Sequence, residues 1–163
     1  MPENRRRIFL LVLVGAACLA GVLLVGFLPS RVDGGVEPAV RRVLAWLQGL
    51  GAPEWVNYDF ADFTANIGFF VPIGLVAALL LPWRVWWLAI PLGAALSGLL
   101  ELGQYLFLPE RYASWTDVVA NTVGALVGAL IGAAIRAARR RRGRGVSSPQ
   151  AASPRRARRA APR

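Results

Sequence analysis

The sequence predicts an all-α polytopic membrane protein with four transmembrane helices, an outer amphipathic helix, and a disordered Arg-rich C-terminal tail. Apolar residues make up 56% of the 163-residue chain and the mean hydropathy is +0.48, which exceeds what an ordinary soluble domain carries. These residues are gathered into four runs close to the length of about 20 residues that crosses a bilayer. The charged residues are concentrated in the segments between and after those runs.

The first run covers residues 8–28 and contains no charged residue. Arginines precede it, as in a signal peptide, but the apolar stretch continues well past Cys18, further than the core of a signal peptide needs. We therefore expect residues 1–28 to form a short cytoplasmic segment and a retained transmembrane anchor. Cys18 is the single cysteine, so it has no disulfide partner within the chain.

Residues 29–62 form an outer segment whose centre predicts an amphipathic helix. Val40, Leu44 and Leu47 recur at helical spacing, whereas Arg41 lies on the opposite side. Two arrangements fit this pattern: the helix lies in the outer headgroup layer, or it packs on the outer ends of the transmembrane helices.

The other three spans make up a membrane domain that we assign to residues 55–135. The second span reaches a spanning length when its apolar run is extended to residues 63–82. The third and fourth spans cover residues 85–108 and 115–135. Four strongly polar residues interrupt these last two spans: Glu101, Gln104, Asp117 and Asn121.

The arginines predict the orientation of the spans. All 19 basic residues are Arg, and a cytoplasmic N-terminus leaves fifteen of them inside and four outside. The use of Arg without Lys suggests a GC-rich bacterial genome, so we expect a multi-pass protein of the bacterial cell membrane. The positive-inside rule predicts that both of its termini are in the cytoplasm. The tail, residues 136–163, contains eleven arginines and no acidic residue, so we expect it to be disordered and to attract anionic membrane lipids. It lacks interleaved aromatic residues, so we expect no nucleic-acid partner.

Polar residues form a narrow stripe on each of the last two spans. In the third span Ser97, Glu101 and Gln104 follow one another at steps of four and three residues, and in the fourth Asp117 precedes Asn121 by four. Residues at these spacings share one helix face. Because the two spans are antiparallel and joined by a short loop, we expect the stripes to face one another in the outer third of the membrane.

Two further residues fall at the same depth. Asn66 begins the second span, and Arg111 lies in the outer loop above the two stripes. A carboxylate in hydrocarbon needs a partner, so Arg111 is the expected counter-ion of Glu101 or Asp117. Asp117 also suits a helix N-terminus, where free N–H groups favour an anion. Two interpretations remain open: a hydrogen-bond network that fixes helix register, and a functional polar site open to the outer leaflet.

Glycines continue the polar face of the fourth span toward its inner end. Gly124, Gly128 and Gly132 are spaced by four residues, which is the pattern that lets helix backbones approach closely in lipid. We expect this stripe to bring the third and fourth helices into close contact.

The ordered set of motifs resembles the VanZ-like family of small bacterial membrane proteins. The resemblance covers roughly residues 55–135, and the stretches ANIGFFVPIGL and SGLLELGQYLFLPERYASWTDVVANTVGALVG carry it. The family is named for a protein associated with low-level resistance to the glycopeptide teicoplanin, so the resemblance implies an envelope membrane protein that affects glycopeptide susceptibility. The matching residues are, in order, Asn66, Phe70, Pro72, Gly74, Ser97, Glu101, Gln104, Arg111, Asp117, Asn121, Gly124 and Gly128.

These observations favour a non-enzymatic envelope protein that binds a membrane lipid headgroup or a lipid-linked cell-wall intermediate in an outward-facing pocket. Arg111 would hold the phosphate of such a ligand. The alternatives are a membrane-embedded enzyme with Glu101 and Asp117 as acid and base, a structural assembly subunit, and a small transporter. The chain has no histidine and no metal-ligand cluster, so we expect no metal and no cofactor. The predicted pocket consists of Asn66, Ser97, Glu101, Gln104, Arg111, Asp117 and Asn121.

Overall fold

A computed structural model of the protein describes residues 3–27, 33–108 and 114–146. Within these ranges the chain is helical and contains no strand. The elements, in chain order, are α1 (Glu3–Phe27), α2 (Asp33–Gly49), α3 (Tyr58–Leu80), a 3-10 helix (Trp83–Leu88), α4 (Ala89–Phe107) and α5 (Trp115–Val146).

Four helical segments are long and apolar enough to cross a membrane. They coincide with the four predicted runs, and each reaches the length of about 20 residues that a bilayer requires. This confirms the prediction of an all-α polytopic membrane protein. The segments are Arg5–Phe27, Tyr58–Leu80, Trp83–Phe107 and Trp115–Arg142.

The last helix is longer than its apolar run. α5 continues to Val146, so residues 136–146 of the predicted tail are helical. Ala and Arg are among the best helix formers, which explains why the helix continues beyond the apolar residues. Residues 147–163, the rest of the predicted tail, lie outside the described residues.

α3 and α5 form the most extensive helix pair of the bundle. Their backbones approach closely because small residues line the contact. A Cβ atom added at Gly128 would lie 2.6 Å from the backbone nitrogen of Leu75, and one added at Gly124 would lie 2.9 Å from the Cβ of Phe70. Gly132 also faces Leu75. The close approach that the glycine spacing predicts is therefore made between α3 and α5.

The prediction that the glycine stripe packs against α4 is wrong. α4 meets α5 one residue further along, where a Cβ added at Gly93 would overlap the side chain of Ala125. Ala125 follows Gly124 directly and so lies about 100° around the helix from it. α5 therefore presents adjacent faces to α3 and α4, and the glycine face belongs to α3.

Two clusters of buried apolar residues fill the interior of the bundle, about one helical turn apart along α5. α1 packs along α3 at the edge, and no residue of its most apolar stretch is buried. Large apolar side chains such as Phe9 and Leu24 point away from the bundle, which suits contact with lipid acyl chains. The cluster residues are Phe70, Leu100 and Ala125 in one, and Ala78, Ala89 and Ala129 in the other.

The outer segment connects α1 to α3 through an amphipathic helix and a tight turn. In α2 the Leu44 side chain is buried, whereas Trp46 is exposed. Gly51, with a φ of 96°, follows the end of α2, and its N–H bonds back to the last turn of that helix. Asn57 then caps α3, because its Oδ1 accepts a hydrogen bond of 3.0 Å from the N–H of Phe60.

Candidate functional site

α4 carries its polar residues on the face that it turns toward the bundle. Ser97 is fully buried and Glu101 is 8% exposed, although both lie within a candidate membrane span. Gln104, one turn from the helix end, is half-buried, and its Nε2 donates a hydrogen bond of 2.9 Å to the carbonyl oxygen of Gly26. This bond ties the end of α1 to the end of α4.

Glu101 is held by the backbone at the start of α5. Its Oε2 accepts a hydrogen bond of 2.8 Å from the N–H of Ser114, the residue before the helix begins. The Ser114 carbonyl in turn accepts a hydrogen bond of 3.2 Å from the N–H of Asp117. A carboxylate at a helix N-terminus is favoured both by the free N–H groups and by the helix dipole. Glu101 therefore joins the end of α4 to the start of α5.

The predicted partner of Glu101, Arg111, lies outside the described residues. The contact with Ser114 was not anticipated, because a backbone N–H group leaves no signature in the sequence. What the sequence did indicate is the helix N-terminus near Ser114, whose free N–H groups are ready-made partners for an anion.

Asn121 lies one turn beyond Asp117 in α5 and is 6% exposed. Its Nδ2 donates a hydrogen bond of 2.9 Å to the hydroxyl of Ser97 in α4. Its Oδ1 is fully buried, and no described residue forms a hydrogen bond with it. Exchanging the oxygen and nitrogen of the amide would leave the nitrogen without a partner instead. One hydrogen-bonding atom of Asn121 is therefore unmatched in either orientation.

Next to Asn121 lies a cavity of about 300 Å³, which we call the polar cavity. It is enclosed where α1 ends, α3 begins, α4 ends and α5 begins, and its apolar walls include Val22, Phe70 and Leu100. Three carboxylates and three amides among its lining side chains make it rich in hydrogen-bond acceptors. Its polar lining residues are Tyr58, Asp62, Asn66, Glu101, Gln104, Asp117 and Asn121.

Five of the seven predicted pocket residues line the polar cavity. Ser97 does not line it but lies behind Asn121, and Arg111 falls outside the described residues. The cavity also contains two polar residues of α3 that were not among the predicted pocket residues, Tyr58 and Asp62. They are four residues apart and Asp62 is four residues before Asn66, so helical spacing could have identified them. The predicted pocket residues that the structure places in the lining of the polar cavity are Asn66, Glu101, Gln104, Asp117 and Asn121.

Two neighbouring depressions share residues with the polar cavity. Glu101 also lines a largely apolar groove of about 270 Å³ between α4 and α5, together with Leu102 and Val118. Asp62 and Asp117 also line a wider depression of about 610 Å³ beneath the segment that precedes α3. The carboxylates thus lie at the borders of the polar cavity, between its interior and both the apolar groove and the depression beneath the segment that precedes α3.

A cation approaches the polar cavity from α2. The guanidinium carbon of Arg41 lies 4.8 Å from the centre of the Tyr58 ring, within the range of a cation–π interaction. Among the described residues, no three His, Cys, Asp or Glu side chains are grouped closely enough to hold a metal ion. The polar groups of the site are thus the carboxylates and amides that line the cavity, with the Tyr58 ring and the Arg41 guanidinium group at its edge.

Comparison with known proteins agrees with this architecture. No curated protein and no solved structure matches the chain. The VanZ/LLP1 family model matches residues 13–136, about three quarters of the chain, and reaches into all four spans. The match begins well before residue 55, where the motif resemblance begins, so it also includes most of α1. With its four candidate membrane spans, the chain belongs to the VanZ/LLP1 family as a multi-pass membrane protein.

Proposed function

We propose that the polar cavity binds the headgroup of a membrane lipid or of a lipid-linked cell-wall intermediate, and that the protein does so without catalysing a reaction. The observation that carries this proposal is Asn121, whose buried side chain lines the cavity with one unmatched atom. A buried polar group without a partner costs about 1–3 kcal/mol. The Oδ1 itself is buried, so a turn of the Asn121 amide toward a polar ligand in the cavity would supply the missing hydrogen bond and remove that cost.

The lining of the polar cavity indicates what kind of ligand it takes. Polar cavities hold water or ligand rather than remaining empty, and about 300 Å³ lies at the lower end of the size range of small-molecule sites. The carboxylates of Asp62, Glu101 and Asp117 accept hydrogen bonds, so the matching ligand presents donors such as sugar hydroxyls or an ammonium group. The apolar walls suit the start of an acyl or prenyl chain of a lipid.

Phosphate binding is assigned in this proposal to Arg111. It precedes Ser114 by three residues in the sequence, and three residues span at most about 10 Å. The Ser114 N–H contacts Glu101, a lining residue of the polar cavity, so the position of Arg111 in the sequence is compatible with this role. A planar guanidinium group can hold a phosphate through two parallel hydrogen bonds.

Binding of a cell-wall intermediate would link this site to antibiotic susceptibility. A glycopeptide with a lipid tail, such as teicoplanin, acts at the membrane surface, where a protein that holds the lipid-linked intermediate changes access to it. This part of the proposal rests on the resemblance to the VanZ-like family. The predicted location, the outer leaflet of the bacterial cell membrane, rests on the distribution of arginines.

The alternative function is a membrane-embedded enzyme that acts on lipid-linked substrates. It is favoured by the fact that Glu101 and Asp117 line the same cavity, as an acid and a base would. The two functions differ in the effect of Glu101→Gln. In an enzyme this change abolishes turnover and leaves the lipid bound, whereas in a binding protein it only weakens lipid retention.

The binding proposal is tested by identifying the lipids that copurify with the protein. The full chain is extracted gently from its native membrane, and the bound lipids are identified by mass spectrometry. We expect one lipid class to be enriched, and we expect Asn121→Leu to remove it. Thr122→Val is the matched control, because it deletes a polar group at the neighbouring position, where the hydroxyl bonds only to the backbone of its own helix.

A second variant guards against misfolding. Asn121→Leu also removes the hydrogen bond to Ser97, so it could destabilise the fold as well as the site. Asn66 lines the polar cavity from α3 but is only half-buried, so its replacement disturbs the packing less. Asn66→Leu should therefore reduce lipid retention while the protein remains monodisperse. An unchanged lipid profile in both variants would refute the binding site. Loss of folded protein in both, with no enriched lipid in the native chain, would favour a structural role.

A further inference from the structure

We propose that the opposite end of the bundle contains a second site, which binds the phosphate of an anionic membrane lipid. The site is a cavity of about 350 Å³ between the start of α1 and the end of α5, and we call it the basic cavity. It is independent of the polar cavity, because it shares no residue with it and lies at the other end of the helices. Its charged lining residues are Arg7, Arg136, Arg139 and Arg140.

The charge at this end of the bundle is strongly positive. Arginine is the only charged residue type that lines the basic cavity. The sequence contains no acidic residue between Glu3 and Asp33, between Asp62 and Glu101, or after Asp117, so Glu3 is the only acidic residue of the described ranges near this end. Like charges this close repel one another unless an anion neutralises them. A phosphate group meets that need, and guanidinium groups are the side chains best suited to bind it.

Two of the four arginines are held in place by contacts with other parts of the bundle. Nη1 of Arg136 donates hydrogen bonds to the carbonyl oxygens of Ala78 and Leu81, at the end of α3. The guanidinium carbon of Arg140 lies 4.6 Å from the centre of the Trp83 ring. Nε and Nη2 of Arg136 retain N–H groups that these bonds do not use. Side chains fixed in this way lose less conformational entropy when a ligand binds.

The apolar part of the lining favours a lipid over a free anion. Ile8 and Leu11 of α1 and Leu79 and Leu80 of α3 complete the basic cavity beside the arginines. Ile8 is 49% exposed and Leu80 is 41% exposed, so apolar surface remains uncovered next to the charged groups. A phospholipid matches both parts, since its phosphate meets the arginines while its acyl chains cover the apolar side chains. The distribution of arginines predicts that this leaflet is the cytoplasmic one.

The test measures lipid retention by the full chain in detergent. Native mass spectrometry would compare dioleoyl phosphatidylglycerol with dioleoyl phosphatidylcholine, and we expect selective retention of the anionic lipid. Arg7→Gln combined with Arg139→Gln should weaken that retention about tenfold or more. Both side chains are exposed and neither makes a contact that anchors a helix end in the described structure.

The matched control is Arg141→Gln combined with Arg142→Gln. It removes the same total charge from the same end of the bundle, but neither residue lines the basic cavity. We expect it to weaken retention several-fold less than the cavity pair does, because neither side chain lines the site that holds the phosphate. Equal weakening by the two pairs would overturn the proposal, because only a diffuse attraction would then remain. Equal retention of the two lipids by the native chain would also overturn the proposal. This comparison does not depend on how any variant folds. Full displacement of phosphatidylglycerol by millimolar inorganic phosphate would likewise overturn it in favour of a soluble anion.

Discussion

The contact between α3 and α5 can be tested by adding a single methyl group. In Gly128→Ala the new Cβ would lie 2.6 Å from the backbone nitrogen of Leu75 and closer still to the carbonyl oxygen of Val71. Side-chain Cβ atoms essentially never approach other heavy atoms below 3.0 Å, so the two helices must move apart. Both neighbouring atoms belong to the backbone and cannot rotate away.

The expected loss follows from two opposing terms. Overpacking an interface costs about 1–3 kcal/mol, and the upper part of that range applies where backbone opposes the new atom. Replacing Gly by Ala within a helix gains about 0.5–1 kcal/mol. We therefore expect Gly128→Ala to destabilise the protein by about 2 kcal/mol, which lowers the unfolding midpoint by about 4–8 °C for a chain of this size.

The assay is the fraction of monodisperse protein that survives heating in a mild detergent, measured by size-exclusion chromatography. Gly68→Ala is the control, because Gly68 lies within α3 and no atom is within 4 Å of the position where its Cβ would lie. Gly68→Ala brings the same gain in helix propensity without a clash between helices, so the unfolding midpoint of this variant should stay the same or rise. If Gly128→Ala proves as stable as Gly68→Ala, the close packing of α5 on α3 is refuted.

Two further predictions concern the hydrogen bonds of Arg136 and the topology of the chain. Arg136→Gln should destabilise the protein by about 1.5–3 kcal/mol, because it removes charged hydrogen bonds to two carbonyl oxygens at the end of α3. Thermal unfolding should separate it clearly from Arg139→Gln, whose side chain is exposed, and equal midpoints would contradict the anchoring role. For the topology, a cysteine introduced at position 48 should react with an impermeant maleimide in intact cells, whereas one at position 145 should not. Labelling at 145 but not at 48 would reverse the orientation predicted from the arginines.

The sequence by itself determined the number and approximate positions of the membrane spans. A bilayer requires about 20 consecutive apolar residues whatever the neighbouring helices do, so this property can be counted along the chain. The sequence also indicated which residues share a helix face. Glu101 and Gln104 lie on one side of α4 because the helical period of 3.6 residues is a local property of the backbone.

Only the tertiary structure decided which faces meet. Periodicity predicts that Gly124 and Gly128 share a face, but the choice of α3 rather than α4 as their partner depends on how all the helices pack together. The contact between Glu101 and the N–H of Ser114 was equally hidden, because every residue except proline carries a backbone N–H. The two cavities are spaces left between three or more helices. Their existence depends on packing contacts between residues far apart in the sequence, which no local pattern records.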